Sequence, residues 1–119
     1  MKKILVIDDD PAILDAVSLV LEDAGYYVEI SENGGYLDGL ADPTKKTPDL
    51  VILDVLLSGL DGRDLVRNMR KKKDLRNVPV VMISAHPSAE KTSMAAGANE
   101  FLAKPFEVNE LLKAVKRFV

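Results

Sequence analysis

Cysteine is absent from this 119-residue chain, which excludes disulfides and thiolate chemistry. Long apolar runs are also missing, and none approaches the ~20 residues needed to cross a bilayer. Met1-Lys2-Lys3 has the charge of a signal-peptide n-region, but the apolar stretch after it covers only residues 4–7 before three aspartates. That is short of the ~7–15 residues of an h-region. No excess of positive charge exists either: the net charge is −3, which gives no electrostatic footprint for nucleic acid. Neither Gly-x-Gly-x-x-Gly nor Gly-Lys-Ser/Thr follows the first apolar run, so dinucleotide and P-loop sites lack their phosphate cradle. Repeats and low-complexity tracts are absent. The expectation is a soluble cytoplasmic domain without a membrane or direct nucleic-acid partner.

What is present suits a packed core. Apolar residues at 47% suffice for one, and the length fits a single domain, 1–119, with too little left for a second. Short apolar runs alternate with helical patterns: Ile4-Leu5-Val6-Ile7, Tyr27-Val28-Glu29-Ile30, Leu50-Val51-Ile52-Leu53, Val80-Val81-Met82-Ile83 and the weaker Phe101-Leu102-Ala103. Three are continuous and rich in β-branched residues, as strands buried on both faces should be. The gaps between runs are too long for hairpins and long enough for crossover helices. The pattern predicts an α/β fold, a doubly wound parallel sheet of five strands with five helices on its two faces.

The first helix has Asp10 as its cap, Pro11 in its first turn, Leu14, Val17, Leu21 and Ala24 on one face, and Gly25 as a left-handed stop. A second is weakened by Gly34, Gly35 and Gly39, each costing about 1 kcal/mol relative to Ala, and residues 41–48 read as a mobile loop. A third follows Gly62 with Leu65, Val66 and Met69 inward. Its basic end, residues 70–73, reads as a solvated terminus whose cations complement the dipole. Ser88 is the expected cap of a fourth, ended by Gly97. The fifth carries Leu111, Leu112, Val115 and Phe118 at helical spacing.

Ligands of such sheets bind beyond the carboxyl ends of the strands. There stand Asp8 and Asp9 after the first run, Asp54 after the third, Ser84 after the fourth and Lys104 after the fifth. Neighbouring strands lie ~4.8 Å apart, and carboxylates ~4 Å apart repel by about 4 kcal/mol per pair at an effective dielectric of ~20. A cation must sit among them, and an all-oxygen ligand set suits Mg²⁺ better than zinc.

These residues, with Asp61-Gly62, Ala96-Gly97-Ala98 and Lys104-Pro105-Phe106, resemble the receiver domains of two-component response regulators over nearly the whole chain. The resemblance implies a flavodoxin-like sheet in the order 2-1-3-4-5. It also implies that Asp54 accepts a phosphoryl group from a sensor histidine kinase or phosphotransfer protein, and that the domain signals by shape rather than turning over as an enzyme. Asp9 would bind Mg²⁺ directly, Asp8 mainly through water, and the Leu56 backbone carbonyl would complete the set with Asp54. Lys104 would neutralise the phosphoryl oxygens from a cis peptide bond to Pro105. Ser84 would be the switch hydroxyl and Phe101 the aromatic ring that responds to it, while also serving as a core side chain. The fourth helix, fifth strand and fifth helix would form the face for a downstream target, in a monomer or a phosphorylation-dependent dimer.

Some positions depart from the pattern. Leu57 and Ser58 stand where many such domains carry Met-Pro, which leaves that loop less constrained. Leu56 offers attacking water no polar partner. His86, the sole histidine, precedes Pro87 and reads as an extended, exposed residue that modulates access. Two other functions fit less well. An interaction module that is never phosphorylated would be expected to have lost a ligand, the nucleophile or the lysine. An aspartyl-phosphate phosphohydrolase would want Asp-x-Asp where this chain has Asp54-Val55-Leu56.

Overall fold

The computed structural model describes residues 1–34, 37 and 46–119. Five strands form the main sheet: β1 (Lys3–Ile7), β2 (Tyr27–Ser31), β3 (Leu50–Asp54), β6 (Val80–Ser84) and β7 (Glu100–Ala103), in the order β2-β1-β3-β6-β7 with every pairing parallel. This is the expected flavodoxin-like order. The two additional strands, β4 (Leu56–Leu57) and β5 (Leu60–Asp61), form a small antiparallel hairpin. Gly59 turns it at φ 74°, a left-handed conformation that glycine adopts without strain. The loop after Asp54, read from sequence as less constrained, thus contains a short paired element.

Four α-helices occur among the described residues: α1 (Pro11–Asp23), α2 (Gly62–Lys71), α3 (Glu90–Ala96) and α4 (Val108–Lys116). The helix expected around Gly34 to Gly39 and the loop over 41–48 fall largely outside them. Because strand side chains alternate between faces, the sheet builds two cores. Leu5, Ile7, Val51, Leu53, Val80 and Met82 pack with Leu65, Val66 and Met69 of α2. Ile4, Val6, Leu50, Ile52, Val81 and Ile83 pack with Leu14, Val17 and Leu21 of α1 and Leu111 and Val115 of α4. Each such side chain contributes about 1.5–3 kcal/mol when fully buried, which explains why the central strands carry no polar interruption.

Helix α1 begins as its sequence dictates. Asp10 Oδ1 accepts from Ala12 N at 3.0 Å with Pro11 at the first position. Past its end Gly25 takes φ 99°. Ala24, expected on the inner face, is exposed, because the helix stops at Asp23 and Ala24 belongs to its cap. Ser88 does not cap α3. Pro87 starts a 3₁₀ turn over Pro87–Ala89 that leads into the helix, so Ser88 lies inside that turn. Arg70 is not part of a solvated end either. Its guanidinium is half-buried and donates to the carbonyls of Gly97, Val78 and Arg76 and to Asn99 Oδ1. Those carbonyls lie beyond the helical ladders that would satisfy them, and a forked donor satisfies several at once.

Candidate functional site

Strand register assembles the site. Ile7 pairs with Leu53, Asp54 with Ile83, and Ser84 with Ala103. The residues at and just beyond the carboxyl ends of these strands therefore emerge side by side at one edge. Asp8, Asp54 and Ser84 are buried there, whereas Asp9 is exposed.

Lys104 joins the two buried carboxylates, its Nζ lying 2.8 Å from Asp8 Oδ2 and 2.9 Å from Asp54 Oδ2. The remaining carboxylate oxygens are also engaged. Asp8 Oδ1 accepts from Asp10 N at 2.9 Å and Asp54 Oδ1 accepts from Leu56 N at 3.1 Å. Asp9 Oδ2 accepts from Ser58 Oγ at 3.1 Å. Oxygens of Asp8, Asp9 and Asp54 lie within 4.8 Å of one another. Against one ammonium, these carboxylates leave two negative charges in excess. A hard divalent cation fits that surplus and that donor set.

Titration of the site follows from its burial. Desolvation raises the Asp54 pKa, and the Asp8 charge adds to it, against the opposing hydrogen bonds from Lys104 and Leu56. Burial alone would lower the Lys104 pKa, but hydrogen bonds to Asp8 and Asp54 outweigh it and raise the net value. Lys104 therefore stays an ammonium. The Lys104–Pro105 peptide bond is cis, as the resemblance implied.

Ser84 Oγ accepts from His86 N at 3.0 Å. His86 is exposed and extended at φ −111° and ψ 99°, as Pro87 after it requires. Phe101 pairs with Met82 in the ladder and packs, half-buried, on the α2 side of the sheet. The two-residue period places Phe101 and Ser84 on that same side. Leu56 is half-exposed on the hairpin beside the site. All the residues expected at the strand ends are thus brought together, with Phe101 one step deeper.

Three further residues shape the site. Gly62 donates to Val55 O at 2.6 Å, and a Cβ there would lie 2.3 Å from the Asp54 carbonyl oxygen. Only glycine allows that approach, and the neighbouring Asp61-Gly62 signal pointed to it. Ser58 and Arg63 carried no local signal, since their partners Asp9 and Thr92 are remote in sequence. Asp61 and Arg63 form a bidentate pair, Nε to Oδ1 at 2.9 Å and Nη2 to Oδ2 at 2.7 Å. This holds the Asp61 pKa below its ordinary value and raises that of Arg63.

Known proteins are similar to this chain in sequence and in fold. The family model for the response regulator receiver domain matches residues 4–116. The DNA-binding dual master transcriptional regulator RpaA of Synechocystis is 38% identical over 118 residues, 98% of this chain and 48% of RpaA. Protein PilH of Pseudomonas aeruginosa is 31% identical over 117 residues, 97% of this chain and 95% of PilH. Response regulator protein TrrA of Thermotoga maritima, solved in complex with Mg²⁺–BeF, has a TM-score of 0.85 at 32% identity and covers 100% of both chains. The chain spans about half the length of RpaA and of several other curated relatives it matches. With a match running almost from end to end, on a sheet of the implied order, the chain belongs to the response regulator receiver domain family.

Proposed function

We propose that Asp54 is the phosphoacceptor of a two-component pathway, in a receiver unit spanning 1–119 and working in the cytoplasm. The observation that carries this reading is Lys104 Nζ held between Asp8 and Asp54 beside a third carboxylate. The donor is a phosphohistidine on a sensor histidine kinase or phosphotransfer protein. One Asp54 oxygen forms the new bond to phosphorus as the bond from phosphorus to imidazole nitrogen breaks, and the electron pair leaves with the ring. Burial makes the carboxylate poorly solvated, and Lys104 keeps it aligned and meets the charge of the incoming phosphoryl oxygens. Asp8, Asp9, Asp54 and the Leu56 carbonyl would hold Mg²⁺, which when bound supplies charge neutralisation for the phosphoryl group.

Ser84 then exchanges its local role for a hydrogen bond to a phosphoryl oxygen, and Phe101 repacks on the side it shares with Ser84. The phosphoryl group favours one of two arrangements already available to the protein. The output surface is formed by α3, β7 and α4, read by a target protein, an output domain or a second receiver on phosphorylation. In this reading the receiver itself contacts neither nucleic acid nor membrane. Binding of beryllofluoride, a phosphoryl mimic, tests the proposal. Mg²⁺-dependent NMR shifts at the Asp54, Ser84 and Lys104 amides support it, and no shifts with both components present contradict it.

A further inference from the structure

A chain of hydrogen bonds crosses the protein beside the site. Asp61 holds Arg63 by the two bonds described above. The remaining Arg63 nitrogen, Nη1, donates to Thr92 Oγ1 at 2.9 Å, and Thr92 Oγ1 in turn donates to Ala89 O at 3.1 Å. Asp61 and Arg63 adjoin Gly62, whose N–H is bonded to the carbonyl of Val55, the residue after Asp54. Ala89 ends the 3₁₀ turn that follows Ser84. The chain thus links the Asp54 strand end to the Ser84 strand end by a route outside the site. It spans a cleft of about 220 Å³ with Val55, Leu56 and Arg63 on one wall and Ser84, His86 and Thr92 on the other.

The helix on the far wall is held at its C-terminal end by Arg70, which donates to Gly97 O, but its N-terminal end has few other polar ties. Neither α3 nor the turn before it has a side-chain cap. Ser93, next to Thr92, is fully buried, and its hydroxyl has no hydrogen-bond partner among the described residues. An orphan hydroxyl disfavours the present seating of α3, whereas the Arg63–Thr92 bond favours it. We propose that Asp61, Arg63, Thr92 and Ala89 form a strap that holds the loop after Ser84 in its resting arrangement, so that Arg63 and Thr92 set how readily the site passes to its phosphorylated form. The strap rests on the phosphoacceptor reading and assigns a regulatory element to it. Neither residue touches the phosphoryl group, and both act through the position of α3.

Beryllofluoride titration of the full chain with Mg²⁺, followed by NMR, separates the two ideas. Thr92→Val removes the oxygen at the centre of the strap while keeping side-chain shape, and Arg63→Met removes the donor from the other side. The strap predicts a half-saturating concentration lowered about 2–10-fold in both, the range set by the net worth of one hydrogen bond. It also predicts that the ligand-free variants' amide signals for residues 84–89 move toward the wild type's beryllofluoride-bound positions. Thr92→Ser, which keeps the oxygen, restores wild-type values. Wild-type response with both variants unchanged, or displaced in the opposite sense, overturns the strap alone. A wild type that gives no Mg²⁺-dependent response overturns the phosphoacceptor reading and the strap with it.

Discussion

Lys104 donates to Asp54 through a hydrogen bond of 2.9 Å although 50 positions separate them in sequence. The same nitrogen reaches Asp8, so one ammonium serves two buried carboxylates. Neither carboxylate is comfortable without it, because charge removed from water and left uncompensated is costly.

Replacing this lysine separates its structural and chemical parts. Lys104→Met lowers the thermal midpoint in the absence of Mg²⁺. The loss stays below the ~3–5 kcal/mol of a fully buried broken pair, since the Lys104 side chain keeps 17% exposure. Added Mg²⁺ raises the midpoint of the variant more than that of the wild type, because the cation then meets two carboxylates with no competing ammonium. Equal Mg²⁺ increments in the two proteins, measured by thermal unfolding, count against a metal site here.

Gly62→Ala forces a Cβ to within 2.3 Å of the Asp54 carbonyl oxygen. The backbone must shift, at a cost of about 1–3 kcal/mol or more, and phosphorylation at Asp54 slows as well. Gly25→Ala is the control, strained by φ 99° but with nothing within 4 Å of the added carbon. It loses about 1–2 kcal/mol and keeps its phosphorylation rate. Urea unfolding beside a phosphorylation time course distinguishes the two. Equal rates in both variants contradict the close-approach account.

Asp61 supplies a pH dependence of defined sign. Its folded pKa is held below the ordinary 3.8, first by the hydrogen bond from Arg63. The stabilisation is therefore complete above the unfolded value and is lost as pH falls through the folded one. Asp61→Asn is less stable than wild type near neutrality, and the gap closes as pH drops below about 3.8. Denaturant midpoints measured down the acid limb show this convergence. A gap that stays constant or widens places the Asp61 contribution elsewhere.

The sheet and most of the site were legible because their causes are local. Residues 4–7, 50–53 and 80–83 are buried on both faces of a parallel sheet, so they read as unbroken apolar runs. The polar residue that ends each run then marks the edge where ligands bind. The hairpin after Asp54 was not legible, since strands of two residues carry no periodicity. Within the basic run at 70–73, charge alone cannot show that Arg70 turns inward to meet carbonyls from 76, 78 and 97. Ser88 was a sound cap candidate, displaced because Pro87 begins its turn earlier. The Arg63–Thr92 bond spans 29 positions between side chains on separate helices and leaves no pattern in either.

Everything proposed for this site turns on a phosphoryl group accepted by Asp54. Intact mass after incubation with acetyl phosphate, with and without Mg²⁺ and beside Asp54→Asn, tests it most directly. The account predicts one Mg²⁺-dependent phosphoryl adduct in the wild type and none in the variant. An adduct that persists in Asp54→Asn, or that forms equally well without Mg²⁺, would contradict it.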